Sequence, residues 1–498
     1  MDDARRELID RLRADLDAAE FTVATLEELW GPDAAAALTR GHRVPAERAL
    51  QSLRGEPAAA TLARVFVLGR AVEAIRLAHA LPSLTLDGAI SLGLIAPDGS
   101  PRLDLRPYSF TDDWGTANWW IASDLGELAL GHALPEGHVL GVGGASLTLS
   151  GLQLQRDSRL ALDLGTGCGI QAMHASRHAG RVIATDISPR ALELAELNAQ
   201  LNGIRNIELR LGDMFAPVEG EKFDYIVTNP PFVITPRAEG VPTYEYRDGG
   251  RVGDAIVAEV VAGAAERLAP GGIAQLLGNW EYRSIEDGLD RVAGWIAAAG
   301  LDGWVIERER QDAALYAQTW VRDGGTRSGD ESDRLEAAWL DDFEGRGVTA
   351  IGFGYVTLRK PVGTPNLRRF ERLDGPVAPG LGAHIDATLT AHDWQTALDD
   401  DELGRARLTV APDVTEERHY WPGDEHPAVM NLRQVGGFAR VYPLGTALAA
   451  VVGACDGDLS LAAICAAVSQ LLDVDATQLQ AEVLPSIREF VTVGILTV

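Results

Sequence analysis

The stretch from Ala161 to Phe232 leaves this chain few folds to choose from. Leu162-Asp163-Leu164 is an apolar strand that runs directly into a glycine-rich turn, Gly165-Thr166-Gly167-Cys168-Gly169. Val182 to Asp186 and Ile207 to Leu211 read as further strands, and Tyr225 to Thr228 leads into Asn229-Pro230-Pro231-Phe232. A helix separates the second and third strands, with Ser188 as its N-cap, Pro189 at its first position and Asn202-Gly203 closing it. The alternation continues through Ile273 to Leu277, Trp304 to Arg308 and, after a polar insertion from Arg322 to Gly347, a long Val348 to Arg359 strand. Strands alternating with helices predict an α/β fold with a doubly wound, seven-stranded central sheet. Such sheets bind ligands at the carboxyl ends of their strands, where the glycine turn and the Asn-Pro-Pro-Phe tetrapeptide both fall.

At 498 residues the chain exceeds one ordinary core, and two to four domains are expected. Apolar and charged contents of 46% and 23% describe a folded globular protein. No run of about 18 apolar residues is present, and Met1-Asp2-Asp3-Ala4-Arg5-Arg6 opens an amphipathic helix, so a cytoplasmic protein without membrane attachment is expected. Cys168, Cys455 and Cys465 are odd in number and lack ligand spacing, which predicts neither disulfides nor a metal site. The formal charge of -28 argues against broad binding to phosphate backbones, because that mode needs clustered cations.

The expected organisation is a helical, winged-helix-like recognition domain over 1–106, a connecting segment over 107–138, the central domain over 139–362, and a second helical or winged-helix-like domain over 363–498. The first rests on a helix from Leu84 to Ile95, a turn at Pro97-Asp98-Gly99 and a small wing at Leu103-Asp104-Leu105. In the connecting segment, Asp112, Asp113, Trp114, Trp119 and Trp120 read either as a buried join or as a lid. Pro361 to Gly380 reads as a linker, and helices over Leu459 to Leu472 and Ala476 to Val491, the second kinked at Pro485, read as the last domain. Oligomeric state is not legible.

A glycine turn between strand and helix turns backbone N–H groups toward a ligand without side-chain clash. Twenty-three residues after Asp163 the next strand ends in Asp186, placed to accept hydrogen bonds from ribose hydroxyls. Gly212-Asp213-Met214-Phe215, after the third strand, offers an acid and an aromatic to a purine. No second nucleotide-binding unit follows, so one adenosine with a short charged appendage is what these loops fit.

With these residues the chain resembles the class I S-adenosylmethionine-dependent methyltransferases, and within them the branch with an Asn-Pro-Pro-aromatic signature, over about residues 139–280. The resemblance implies a Rossmann-like domain with S-adenosyl-L-methionine as cofactor. It implies that Asp163, Gly165, Gly167 and Gly169 line the methionine moiety, with Thr166, Ile187 and Met214 beside them, that Asp186 binds the ribose and that Asp213 binds the adenine. It further implies that Asn229 and the Pro230 carbonyl accept hydrogen bonds from the substrate nitrogen, that Pro231 stiffens the loop, and that Phe232 stacks on the planar group. The signature is shared by enzymes that modify protein glutamine, adenine N6, cytosine N4 and guanine N2. The segment Tyr246 to Asp254, with Gly249-Gly250-x-x-Gly253, is similar to one in release-factor-type glutamine methyltransferases, whereas Val233-Ile234-Thr235-Pro236 departs from them. The expectation is an N-methyltransferase acting on a planar amide or exocyclic amine of a macromolecule, leaning to a protein glutamine. Nucleobase methylation of RNA or DNA, a small-molecule acceptor, and a non-catalytic S-adenosylmethionine-binding regulator stay open.

Overall fold

The structure is a computed structural model that describes residues 3–131, 134–242, 244, 247–326 and 328–498. Met1, Asp2 and Tyr246, together with His132 and Ala133 of the expected connecting segment and Arg327 of the polar insertion, lie outside the described residues. The chain divides into two compact units, one formed by residues up to Ser150 together with Arg156–Arg372, the other by Gly151–Gln155 with Leu373–Val498.

In the first unit the strands are β1 (Leu103–Asp112), β2 (Gly115–Asp124), β3 (Ser158–Leu164), β4 (Ala179–Asp186), β5 (Ile207–Leu211), β6 (Phe223–Thr228), β7 (Leu268–Arg283), β8 (Asp302–Asp312), β9 (Val348–Arg359) and β10 (Arg368–Arg372). Strands β3 to β10 form one sheet in the order β10, β8, β9, β7, β6, β3, β4, β5. Only β9 runs antiparallel to its neighbours, so the carboxyl ends of β3, β4, β6, β7 and β8 share one edge. Both faces of the sheet are covered, and Leu160 to Leu164 in β3 are accordingly all buried. The seven expected strands are present, and β10 adds an eighth within the stretch read as linker. Its sequence, Arg-Arg-Phe-Glu-Arg, is that of a charged edge strand, which lacks apolar alternation.

The predicted helix after β4 spans Pro189–Leu201, with Ser188 Oγ accepting from Ala191 N at 3.4 Å and Gly203 turning the chain at φ +70°. Six α-helices and a short π-helix, Ala63–Val67, lie between Asp3 and Ser91, before β1 and β2. The segment expected as a connection is largely this hairpin, paired from Leu103 opposite Asp124 to Asp112 opposite Gly115. Two side-chain amides hold its outer edge to the sheet domain. Asn198 accepts from Ala122 N (2.7 Å) and donates to Ala122 O (2.9 Å) and Cys168 O (2.8 Å). Asn202 accepts from Trp120 N (2.9 Å) and donates to Trp120 O (2.8 Å). These amides give alternate residues of β2 the partners a neighbouring strand would give. Behind them a continuous apolar cluster runs from Leu12, Leu16 and Phe21 to Met173, Leu194 and Leu197.

The second unit packs helices Leu381–Thr396, Leu461–Leu472 and Ala476–Thr492 around a core that includes Val451, Ile464, Ile487 and Phe490. The last helix runs on through Pro485. Strands Val414–His419, Val429–Gln434 and Val441–Pro443 form a small antiparallel sheet in that order. Among the described residues no helix is long and apolar enough to cross a membrane, and no group of three or more His, Cys, Asp or Glu could hold a metal ion.

Candidate active site

The glycine turn sits at the carboxyl end of β3. Gly165, Gly167 and Gly169 adopt φ of +73°, +54° and +91°, a region that side chains disfavour. A Cβ at Gly165 or Gly167 would meet no atom within 4 Å, so both face open space. At Gly169 it would lie 3.0 Å from the Ala195 methyl, and that glycine instead lets the turn rest on helix Pro189–Leu201. Asp163 lies beneath the turn, fully buried, with Oδ2 accepting from Thr166 Oγ1 (2.6 Å) and Ala172 N (2.8 Å). Burial pushes its carboxyl up to about 7, and its Oδ1 has no hydrogen-bond partner. Asp163 and Thr166 therefore support the turn, while Gly165 and Gly167 form its open face.

Gly165 N and Thr166 N both donate to Thr185 O at 2.9 Å, which fixes the turn to the end of β4. There Asp186 accepts from Gly167 N through Oδ2 and from Ser188 N through Oδ1, each at 2.9 Å. Burial raises the Asp186 carboxyl above its ordinary range, and each oxygen retains a second lone pair for a ligand. Ile187 and Leu211 are 62% and 57% exposed, an apolar shelf beyond β4 and β5. Asp213 is exposed, with Arg251 at 3.8 Å, and Met214 is half-buried at φ +46°. Phe215, expected to face a purine, is buried instead against helix Ala255–Arg267, where a Cβ on Gly263 would fall 2.2 Å from its ring.

Thr228 Oγ1 donates to Leu164 O at 2.7 Å, which ties β6 to β3 immediately before the signature. Asn229 Oδ1 is buried and accepts no hydrogen bond from the protein. Phe232 is 9% exposed and packs on Phe353 of β9, ring centres 5.5 Å apart, so it is a wall of the site more than a free platform. The loop that follows is pinned from several sides. Gly249 N donates to Pro231 O (3.1 Å) and Val233 N to Arg247 O (2.9 Å), while Arg237 grips the Asp248 carboxylate with two nitrogens. Gly253, at φ +62°, passes so close to Glu281 that a Cβ would lie 2.6 Å from Oε1. Asp254 accepts from Glu281 N (3.0 Å) and from Arg291 (2.7 and 2.9 Å).

The polar insertion adds what the sequence alone did not reveal. It forms helix Asp330–Gly345 and follows helix Ala313–Asp323, which starts from the carboxyl end of β8 and so stands at the same edge as Asn229. Tyr316 OH accepts from Ile234 N (3.1 Å), Arg247 donates to Trp320 O (3.1 Å) and Asp323 (2.7 Å), and Arg334 donates to Gly240 O (3.1 Å). The signal was there in Tyr316 and Trp320, and in Trp339 and Phe343, each pair four apart as on one helix face.

An open glycine cradle on β3, a carboxylate on β4 and an orphaned amide oxygen beyond β6, on a sheet with one antiparallel strand near its edge, define a class I methyltransferase domain. Residues 143–293 match the family described as Methyltransferase small domain, and residues 18–106 match one described as Domain of unknown function (DUF7059). The central stretch is thus a class I S-adenosylmethionine-dependent methyltransferase domain of the Asn-Pro-Pro-aromatic branch. The chain is 37% identical over 148 residues to the release factor glutamine methyltransferase of Moorella thermoacetica, covering 28% of this chain and 52% of that protein. It is 34% identical over 165 residues to the ribosomal protein uL3 glutamine methyltransferase of Bradyrhizobium diazoefficiens, covering 28% and 51%. The chain spans about half the length of the curated relatives it matches. Among solved structures, a 16S rRNA N2 G1207 methyltransferase of T. thermophilus is 22% identical over 42% of this chain and 48% of its own, with a TM-score of 0.28.

Proposed function

We propose that this chain is an enzyme that methylates the side-chain nitrogen of a glutamine in a protein, with S-adenosylmethionine as cofactor. The observation that carries this reading is Asn229 Oδ1, a buried amide oxygen with no partner at the end of β6. A buried acceptor left unsatisfied costs about 1–3 kcal/mol, which a donor from a ligand would recover. The open face of Gly165 and Gly167, the Asp186 carboxylate and the Ile187–Leu211 shelf suit a nucleoside with a short charged appendage.

S-adenosylmethionine supplies a methyl group made electrophilic by its sulfonium. The chain's own residues prepare the acceptor. A carboxamide nitrogen is a poor nucleophile because its lone pair is delocalised into the carbonyl. Asn229 Oδ1 and the Pro230 carbonyl, by accepting its two N–H bonds, favour a pyramidal nitrogen and leave the lone pair free to point along one direction. The hydrogen bonds from Gly249 N to Pro231 O and from Val233 N to Arg247 O keep those acceptors in place. No strong base is needed before attack: as the N–C bond forms the S–C bond would break with its electron pair left on sulfur, and the nitrogen, now acidic, gives up one proton to water.

A protein acceptor is supported by the charges around the signature. Arg237, Arg247, Arg251 and Arg334 are each engaged with a carboxylate, Asp248, Asp323, Glu259 and Glu331 respectively, so they offer little to a phosphate backbone. The glutamine methyltransferases among the matched relatives support the same choice. The test is transfer of labelled methyl from S-adenosylmethionine into a bacterial extract. Label is expected to survive nuclease, disappear with protease, map to glutamine, and be abolished by Asn229→Ala while cofactor affinity by calorimetry stays within about threefold. Nuclease-sensitive label would make the acceptor a nucleobase, and binding without turnover on any fraction would make the chain a sensor.

A further inference from the structure

The helical insertion between β8 and β9, which holds Arg247 and Gly240 further along the loop, reaches Ile234 just beyond the signature through the phenol of Tyr316. The Tyr316 ring is fixed by aromatic neighbours from both of its helices, with centroids 6.0 Å from Trp320, 6.0 Å from Trp339 and 6.1 Å from Phe343. Its hydroxyl is fixed by Asn279 of β7, whose Nδ2 donates to it at 2.6 Å. Asn279 stands directly opposite Phe353 across the β7–β9 pair, and Phe353 carries the Phe232 ring. Tyr316 is thus held rigidly where the signature loop meets the sheet, and its hydroxyl receives the buried Ile234 N–H at 3.1 Å. The other loop contacts that pin residues 231–233 are backbone to backbone, Gly249 N to Pro231 O and Val233 N to Arg247 O.

We propose that Tyr316 is a positioning residue for methyl transfer, one that never touches the acceptor but sets the Asn229–Ile234 loop through the Ile234 N–H. The inference rests on the methyl-transfer reading above and deepens it by making the insertion part of the machinery. Without the hydroxyl, the Ile234 N–H is left buried and unpartnered, and the loop shifts to find another acceptor. A displacement below an ångström is enough, because hydrogen bonds to the reacting nitrogen depend steeply on distance and angle. The aromatic neighbours hold the ring without the hydroxyl, so the variant still folds, at the cost of two buried donors, Ile234 N and Asn279 Nδ2, left without their acceptor.

Tyr316→Phe is the test, with nuclease-treated protein extract as acceptor. The expected result is a kcat lower by about tenfold to a hundredfold, with apparent KM and cofactor Kd within about threefold of wild type and a Tm lower by a few degrees, since Ile234 N and Asn279 Nδ2 both lose their acceptor. In parallel, hydrogen exchange at the Ile234 amide is expected to quicken by about tenfold or more while the β6 amides stay protected. An unchanged kcat in an active enzyme, or unchanged exchange at Ile234, overturns the proposal. If the wild type transfers no methyl to protein, the functional reading fails by itself, and the exchange result, which needs no acceptor, still decides whether Tyr316 holds the loop.

Discussion

Asp163 sits in an environment unusual for a carboxylate. Its carboxyl titrates near 7 when folded, against an ordinary value of 3.8, because it is wholly buried. Between those values the native state holds a proton that the unfolded chain has released. Stability from this group therefore falls as pH rises through that window and levels off above it. Asp163→Asn keeps an acceptor for Thr166 and Ala172 but carries no titrating proton. Denaturation curves from about pH 4 to about pH 8 are expected to show the variant gaining on the wild type as pH rises, and a pH-independent difference would contradict the assignment. The sequence made Asp186 and Asn229 legible because an acid or an amide just beyond a strand has a restricted choice of surroundings. Phe232 and Phe215 were not legible in the same way. An aromatic at a strand end can face a ligand or the core, and only Phe353 and Gly263, distant in sequence, decide which.

At the scale of elements, the β1–β2 hairpin depends on groups outside itself. Asn198→Ala would strip partners from Ala122 N, Ala122 O and Cys168 O, all in the interior. The expected loss is about 3 kcal/mol or more in urea unfolding, since each abandoned buried group costs about 1–3 kcal/mol. A loss below about 1 kcal/mol would mean that water or a shifted backbone replaces the amide. Asn202, half-buried, should matter less. Only the start of the hairpin, the small wing at Leu103-Asp104-Leu105, was legible in the sequence, because Pro107 interrupts β1 and proline argues against a strand. Yet β1 pairs only with β2, and an edge strand tolerates a missing donor. By contrast β3, β4 and β6 were plain in the sequence, since strands buried on both faces carry continuous apolar runs.

Over the whole molecule the net charge of -28 is the dominant long-range property. Together with the neutralised arginines near the signature, it predicts that mixed-sequence RNA or DNA at physiological salt binds no tighter than about 10⁻⁴ M, the weak end of ordinary non-specific binding. Fluorescence anisotropy with a labelled duplex and a labelled single strand checks this, and micromolar binding would reopen the nucleobase reading. The second unit was only half legible. Its helices follow apolar periodicity, but Val414–His419 reads Val-Thr-Glu-Glu-Arg-His, mostly exposed, and gives no strand signal.

The apolar cluster that joins Leu12 and Phe21 to Met173, Leu194 and Leu197 also bears on how the chain comes into being. Synthesis delivers the N-terminal helices and the hairpin first, and Asn198 and Asn202, which complete the edge of β2, emerge about 75 residues after that strand. Until then, the side of that core covered by Met173, Leu194 and Leu197 has no counterpart. The first 124 residues thus leave one face of their core and the outer edge of β2 uncovered until helix Pro189–Leu201 follows. That helix, which also supports the glycine turn after β3 through Ala195, closes both at once.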